Sequence, residues 1–106
     1  MIVDPQPAKV VAILEYLRTN FPQNAVAQFP KPDVSSHCFL LRRENRTEQL
    51  IYVSNEFLSD HTIEEIETLL KEWHLNDAIR AAGHQVVVVT NQGVRVEPGR
   101  VGPGWP

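Results

Sequence analysis

Histidine, cysteine and carboxylate side chains are numerous enough in this sequence to suggest a metal site or a catalytic site. The 106 residues include four His and one Cys, together with 13 Asp and Glu. His37 and Cys38 are adjacent, and neighbouring residues of a strand point to opposite faces, so this pair is not expected to chelate one metal ion. The sequence contains neither a C-x-x-C nor an H-E-x-x-H pattern, which would supply convergent zinc ligands. We therefore predict no metal and no cofactor.

The other candidates for catalysis have simpler structural interpretations. His61 and Glu65 are four positions apart and can form a charge pair at a helix end. His74 stands where a helical pattern breaks, so we expect it to be a cap or a partly buried imidazole. Cys38 has no helix start or basic cluster to activate it and is interpreted as a core residue. No Ser lies in a G-x-S-x-G pattern, and the glycines at 99 and 102 lack the flanking strand and helix of a phosphate loop. We predict no catalytic residue and no enzyme activity.

Charge is unevenly distributed along the chain. The formal net charge of -3 is typical of neither a strongly basic nucleic-acid binder nor an acidic disordered chain. Residues 56–77 contain one Lys and seven acidic residues: Glu56, Asp60, Glu64, Glu65, Glu67, Glu72 and Asp77. Such a run is either a solvated helix face or a surface for a basic partner. Near the middle of the chain, Glu44 is surrounded by three arginines that could contact phosphates: Arg42, Arg43 and Arg46.

The last eleven residues, VEPGRVGPGWP, contain three Pro and three Gly, yet they include Trp105. Such a composition cannot hold a helix or a central strand. We therefore predict one domain over residues 1–97 and a Pro/Gly-rich tail over 98–106. Because interface hot spots are enriched in Trp and Arg, Arg100 and Trp105 are candidate partner contacts, unless Trp105 folds back onto its own domain.

Two main helices are predicted to position these residues. Asp4 and Pro5 are typical of a helix start, and Pro22 ends the helix. An apolar stripe recurs between them at helical spacing: Val10, Ile13, Leu14, Leu17 and Phe21. The second helix starts at a capping box formed by Thr62 and Glu65. Its predicted inward stripe consists of Ile63, Ile66, Leu69, Leu70 and Trp73.

A short third helix and five strands complete the prediction. The helix ends at Ala82, with Gly83 as its left-handed cap. The predicted strands are 25–29, 37–43, 48–53, 85–90 and 94–97, with a polar turn over 44–47 and a three-residue hairpin loop over 91–93. The four valines within 85–90 predict a strand inside the sheet, and alternation in 94–97 places Val94 and Val96 inward. The fold class is therefore α+β, an antiparallel sheet of about four to five strands in the order α-β-β-β-α-α-β-β with helices on one face.

An α-β-β-β-α order is also that of double-stranded RNA-binding domains, which grip phosphates with basic residues at the start of the second helix. Here that segment reads HTIEEIE at 61–67, which would repel phosphates. The acidic charge excludes this function.

We therefore predict a small, non-enzymatic, cytoplasmic protein that binds another protein or a second copy of itself. The start of the sequence does not resemble a signal peptide, and no apolar run approaches the roughly 18–20 residues of a membrane span. The candidate contacts are Arg100, Trp105, Glu64, Glu67 and Glu72. One alternative is a nucleic-acid-binding accessory protein that uses Arg42, Arg43, Arg46 and Arg95. A second is a small enzyme whose site converges in space.

The sheet face away from the helices is a further candidate surface. Both long helices present their apolar stripes to one face, and no third long helix is available for the other. Since exposed apolar patches of more than a few hundred Å² usually mark an interface, we predict that the tail, a second copy or a partner closes this face.

Overall fold

The first helix, α1 (Gln6–Asn20), packs on the sheet through the predicted aliphatic stripe. In this computed structural model, which describes residues 6–83 and 85–100, Val10, Ile13, Leu14 and Leu17 are buried and Phe21 is partly buried. The helix ends just before Pro22, as predicted, because proline disfavours the helical conformation of the residue before it. The predicted start at Asp4 and Pro5 lies outside the described residues.

The sheet has five strands in the spatial order β1-β2-β3-β4-β5. They are β1 (Ala25–Lys31), β2 (Ser36–Arg43), β3 (Arg46–Ser54), β4 (Gln85–Thr90) and β5 (Gly93–Arg100). All neighbouring pairs are antiparallel except β3 and β4, which are parallel with Ile51 opposite Val87. The α+β class and the element order are therefore confirmed, and β4 lies inside the sheet as its valines predict.

Three helices connect the parallel strands: α2 (Asn55–Asp60), α3 (Ile63–Glu72) and α4 (Leu75–Ala82). The capping box that starts α3 is present, since Glu65 N–H donates to Thr62 Oγ1 at 3.2 Å and Thr62 N–H donates to Glu65 Oε1 at 2.8 Å. The short helix α2 was not predicted. Its N-cap is Ser54, whose Oγ accepts from Phe57 N–H at 3.1 Å.

Turns and strand ends differ from the prediction by one to three residues. The β2–β3 turn is only Glu44-Asn45, with φ of 52° and 65°, because both residues adopt the positive φ that a tight hairpin needs. The β4–β5 turn is likewise two residues, and Gly93, at φ 120°, begins β5. At the far edge, β1 continues through Pro30, which an edge strand tolerates because one side needs no N–H donor. The backbone of β5 extends to Arg100, into the segment predicted as tail.

The helix-facing core contains side chains from all four helices and from alternate positions of the strands. Within α3, Ile66 and Leu70 are buried, and the partly buried Leu69 and Trp73 pack against this core. The prediction is wrong for two residues that were expected to face inward. Ile63 is 38% exposed and Val96 is 42% exposed. Ile63 is the first residue of α3, one turn before the buried Ile66. Val96 is on the edge strand, of which Val94 packs against this core.

The opposite side of the sheet, called here the second face, has its own apolar cluster. Its buried members are Cys38, Leu40, Leu50, Val86 and Val88, and its partly buried members are Ala27, Phe29 and Tyr52. No residue of α1–α4 belongs to this cluster, so the described helices all pack on one face, as predicted.

Candidate functional site

A groove of about 530 Å³ lies between α1 and the α3–α4 region. The two long helices run side by side in the same direction. Near the start of α1, Lys9 Nζ donates to Leu58 O at 2.6 Å, and Leu58 precedes α3. Two turns later on α1, Tyr16 Oη lies 3.3 Å from the carbonyl oxygen of Leu70, near the end of α3. The groove is lined by Ala12, Glu15, Tyr16, Thr19, Asn20, Glu67, Lys71, His74 and Asn76.

Tyr16 fixes the end of the groove next to α4. Its hydroxyl accepts a hydrogen bond from Asn76 N–H at 3.0 Å and can donate to Asn76 Oδ1 at 3.2 Å or to the Leu70 carbonyl. Burial raises the pKa of the Tyr16 phenol above its ordinary value. The hydroxyl therefore stays protonated and joins three helices, rather than acting as a base.

The two long walls of the groove carry a glutamate each, Glu15 on α1 and Glu67 on α3. Neither forms an ion pair with another residue in the described part of the chain. Lys71, one turn after Glu67, partly offsets their charge. One turn before each glutamate is an exposed aliphatic side chain, Val11 at 47% and Ile63 at 38%. Because residues four apart share a helix face, these side chains lie on the same helix faces as the glutamates, although they are not among the residues that line the groove.

The structure separates the three acidic residues predicted to contact a partner. Glu67 lines the groove, whereas Glu64 borders a shallower depression on the other side of α3 together with His61 and Thr68. Glu72 is exposed at the last position of α3. Glu15 was missed, because the sequence shows that it points outward from α1 but not which helix lies beside it. Arg100 has a described backbone only, and Trp105 lies outside the described residues.

The arginines predicted to contact nucleic acid do not form one cluster. Arg43 and Arg46 are directly opposite each other beside the β2–β3 turn, and Arg42 is adjacent. Arg42 donates to Asn45 O at 3.4 Å, and Arg43 donates to Gln23 Oε1. Two strands separate β2 from β5, where Arg95 forms a 2.8 Å ion pair with Glu97. The hairpin therefore presents three cations, and Arg95 is neutralised elsewhere.

The histidines that the structure describes and the cysteine are dispersed. His37 contacts Phe39 and Gln28, whereas Cys38 is buried in the second face, so the two point to opposite sides as predicted. Burial raises the pKa of the Cys38 thiol to about 12, which makes it a poor nucleophile. His61 contacts Asn91 at 3.0 Å, and His74 occupies the N-cap of α4 with its imidazole exposed.

Within residues 6–83 and 85–100, no three His, Cys, Asp or Glu side chains converge in a way that could hold a metal ion. Over the same part of the chain, no helix has the length and apolar character required to cross a membrane. Comparison with protein-family models, with curated proteins and with solved structures found no match for this chain.

Proposed function

We propose that the protein acts by binding another protein, and that the groove between α1 and α3 receives a basic amphipathic segment of that partner. The observation that carries this proposal is the composition of the groove walls and of the helix faces that continue from them. Glu15 and Glu67 have no ion-pair partner among the described residues, and each is one turn from an exposed aliphatic side chain, Val11 or Ile63. A segment that alternates aliphatic and basic side chains at helical spacing complements both features.

The expected interaction is weak and salt-dependent. Exposed charge pairs contribute about 0.2–1 kcal/mol each, so the glutamates set the orientation and the association rate more than the affinity. Only 47% of Val11 and 38% of Ile63 is exposed, so each contributes less than the roughly 1.5–3 kcal/mol gained when a fully exposed aliphatic side chain becomes buried. Glu64 and Glu72 lie outside the groove and would extend the acidic surface met by an approaching partner.

Two other functions have less support. The hairpin arginines favour nucleic acid, but Arg42 and Arg43 already hydrogen-bond to their own chain and Arg95 is paired with Glu97. For an enzyme, the described acids and bases would need to converge around a reacting group. Tyr16 and Lys71 share the groove, but Tyr16 is engaged in joining helices.

Fluorescence anisotropy with designed peptides tests the proposal. The probes are labelled peptides of about 14 residues with Leu at helical spacing and Lys or Arg elsewhere, and counterparts in which Glu replaces every basic residue. We expect only the basic peptides to bind. In the double variant Glu15→Gln, Glu67→Gln, the Kd should rise at least about fivefold, with a weaker dependence on salt.

The matched control removes two acidic charges away from the groove, as Glu44→Gln with Glu56→Gln. Its Kd should stay within about twofold of the parent. An equal rise of the Kd in both double variants would show only a general charge effect and would overturn the proposal that the groove binds the peptide. Tight, steeply salt-dependent binding of single- or double-stranded oligonucleotides, lost on substitution of Arg43 and Arg46, would instead favour the nucleic-acid alternative.

A further inference from the structure

The edge strand β5 has backbone hydrogen-bonding groups that point away from its neighbour β4. Thr90 and Gly93 flank the two-residue turn and are paired, so they exchange both of their backbone hydrogen bonds. This pattern alternates along an antiparallel pair, so Arg95 also bonds to β4, whereas the N–H and C=O groups of Val94 and Val96 point outward. Within the described part of the chain, β5 is the last strand of the sheet. An edge of this kind is a template for a further strand.

The charges of β5 make the strand complementary to itself. Arg95 and Glu97 are on the same face of the strand, one before and one after Val96. When two copies of β5 run antiparallel with Val96 opposite its counterpart, each Arg95 lies opposite the partner's Glu97. Arg95 and Glu97 of one chain are already 2.8 Å apart, so all nearest neighbours among the four side chains have opposite charge. Opposite charges directly across an antiparallel pair stabilise it, whereas a parallel arrangement would bring like charges together.

The other edge of the sheet does not have this complementarity. β1 (Ala25–Lys31) has a single charged side chain, Lys31, and Pro30 lies within the strand. Two copies of β1 would therefore bring no opposite charges together. Of the two edges, only β5 is matched in charge to a second copy of its own strand.

The helix above β5 leaves room for the helix of a second copy. α4 packs on β4 and β5, and its Asn76 and Arg80 contact α1. With Ile79 buried towards the sheet, helical spacing places Ala78 and Ala81 on the flank of α4 that faces away from α1. Pairing of the two edges, with strands about 4.8 Å apart, would place the two copies of α4 about 10 Å apart. This is a usual separation of packed helices, and small side chains such as alanine permit it.

We propose that the protein forms a homodimer in which β5 pairs antiparallel with the partner's β5, with Val96 at the twofold axis. Val96 and the partner's Val96 exchange both backbone hydrogen bonds, and the sheet continues from one copy into the other. Val96 lies opposite Val87 on the helix side of the sheet and is 42% exposed. The dimer covers this side chain with its counterpart and with the flank of the partner's α4. This inference is independent of the groove between α1 and α3.

Sedimentation velocity of the full-length chain measures the association. One strand edge and one helix flank form a smaller surface than the about 800 Å² per partner of a typical stable interface. We therefore expect a weak dimer, with a sedimentation mass that rises between about 10 μM and 1 mM protein. A monomer over this whole range would overturn the proposal.

Charge reversal tests which surface associates. Arg95→Glu and Glu97→Arg each place like charges opposite one another, so the Kd of each variant for itself should rise at least about fivefold. The combined variant Arg95→Glu, Glu97→Arg restores opposite charges, and its Kd should stay within about threefold of the parent. The matched control is Arg46→Glu, which reverses the same charge on the β2–β3 hairpin and should change the Kd less than about twofold. An equal effect of Arg46→Glu and Arg95→Glu would overturn the proposal.

A mixture of the two single variants separates contacts between chains from contacts within one chain. Each single variant also loses the ion pair between positions 95 and 97 of its own strand. In the mixture, the two acidic side chains of one copy lie opposite the two basic side chains of the other. The mixed dimer should therefore have a Kd at least about fivefold below that of either variant alone. Absence of this recovery would overturn the proposal, and circular dichroism establishes that each variant is folded.

Nuclear Overhauser effects in the unaltered protein give the register without any substitution. We expect a cross-peak between the Hα protons of Arg95 and Glu97 in a mixture of isotope-labelled and unlabelled copies at high concentration. Within one strand these residues are about 7 Å apart, whereas across the twofold axis their Cα atoms are about 4.5 Å apart. Cross-peaks between copies that involve only the second face or the groove would show that the dimer forms elsewhere and that the proposal is wrong.

Discussion

The hydroxyl of Tyr16 accepts a hydrogen bond from the backbone N–H of Asn76 at 3.0 Å, across sixty positions of sequence. Asn76 is the second residue of α4, and its N–H is one of the donors that a helix start leaves without an intrahelical partner. The N-cap residue of α4, His74, makes no capping hydrogen bond with its side chain. A tyrosine of α1 therefore supplies the acceptor that an N-cap side chain normally provides.

Tyr16→Phe should destabilise the protein by about 1–3 kcal/mol, because it leaves the part-buried Asn76 N–H without its acceptor. The free energy of unfolding from urea titration measures this loss. Tyr52→Phe is the matched control, since the Tyr52 phenol is also partly buried but its hydroxyl has no identified hydrogen bond within the described part of the chain. Equal losses in the two variants would contradict the capping role of Tyr16.

Alkaline pH should destabilise the fold. Burial raises the pKa of the Cys38 thiol to about 12 and also raises the pKa values of the Tyr16 and Tyr52 phenols. At high pH the unfolded state therefore binds fewer protons than the folded state, and stability falls as pH rises. The loss of stability should begin near the pKa of a thiol in the unfolded chain, about 8.5–9. It should continue as the pH approaches the pKa values of these groups in the folded protein.

Urea titrations between about pH 7 and 10.5 measure this dependence. Cys38→Ala removes the thiol. The free energy of unfolding of this variant should therefore decrease less steeply between about pH 8.5 and 10, whatever its value at pH 7. The result that contradicts the assignment is an unchanged pH slope in Cys38→Ala.

Elements with strong local signals were predictable from the sequence. The stripe of α1, the capping box of α3 and the four valines of β4 each depend on residues close in sequence, and each was identified correctly. Their common basis is that periodicity and capping chemistry are local. The acidic residues of α3 and the arginines of the hairpin could be identified in the sequence for the same reason, because each group is continuous along the chain.

Features that depend on distant segments were not predictable. The six residues of α2 are too few to show helical periodicity, and the helix is fixed by burial of Phe57 and Leu58 rather than by its pattern. The parallel pairing of β3 and β4 depends on the path of three helices between them. Glu15 joins Glu67 only because α1 and α3 are neighbours, so no sequence pattern marks the groove.

Two isoleucines of α3 allow a comparison in which only burial differs. Ile66 is fully buried in the helix-facing core, whereas Ile63 is 38% exposed. Ile66→Ala should cost about 2–5 kcal/mol, because it removes buried methyl groups and leaves a cavity. Ile63→Ala should cost less than about 1 kcal/mol, since much of its side chain is already in water. Leu14→Ala on α1, which is also buried, should behave like Ile66→Ala.

Chemical denaturation of these three alanine variants measures the differences. The far-UV circular dichroism of the native state should be unchanged in each variant, so that the loss reflects packing. Similar losses at Ile63 and Ile66 would mean that the described orientation of α3 is incorrect.

The β2–β3 hairpin offers a stabilising substitution. Glu44 has a φ of 52°, in the left-handed region that residues other than glycine, asparagine and aspartate rarely adopt. Glu44→Gly should therefore increase the free energy of unfolding by about 0.5–1 kcal/mol, because relief of the left-handed strain exceeds the added entropy of the unfolded chain. The matched control is Gln92→Gly in the β4–β5 turn, also a two-residue turn, where Gln92 does not have a positive φ and glycine should be destabilising. Urea titration of both variants measures the two changes in the free energy of unfolding, which should have opposite signs. An increase for Gln92→Gly or a decrease for Glu44→Gly would contradict the described turn conformations.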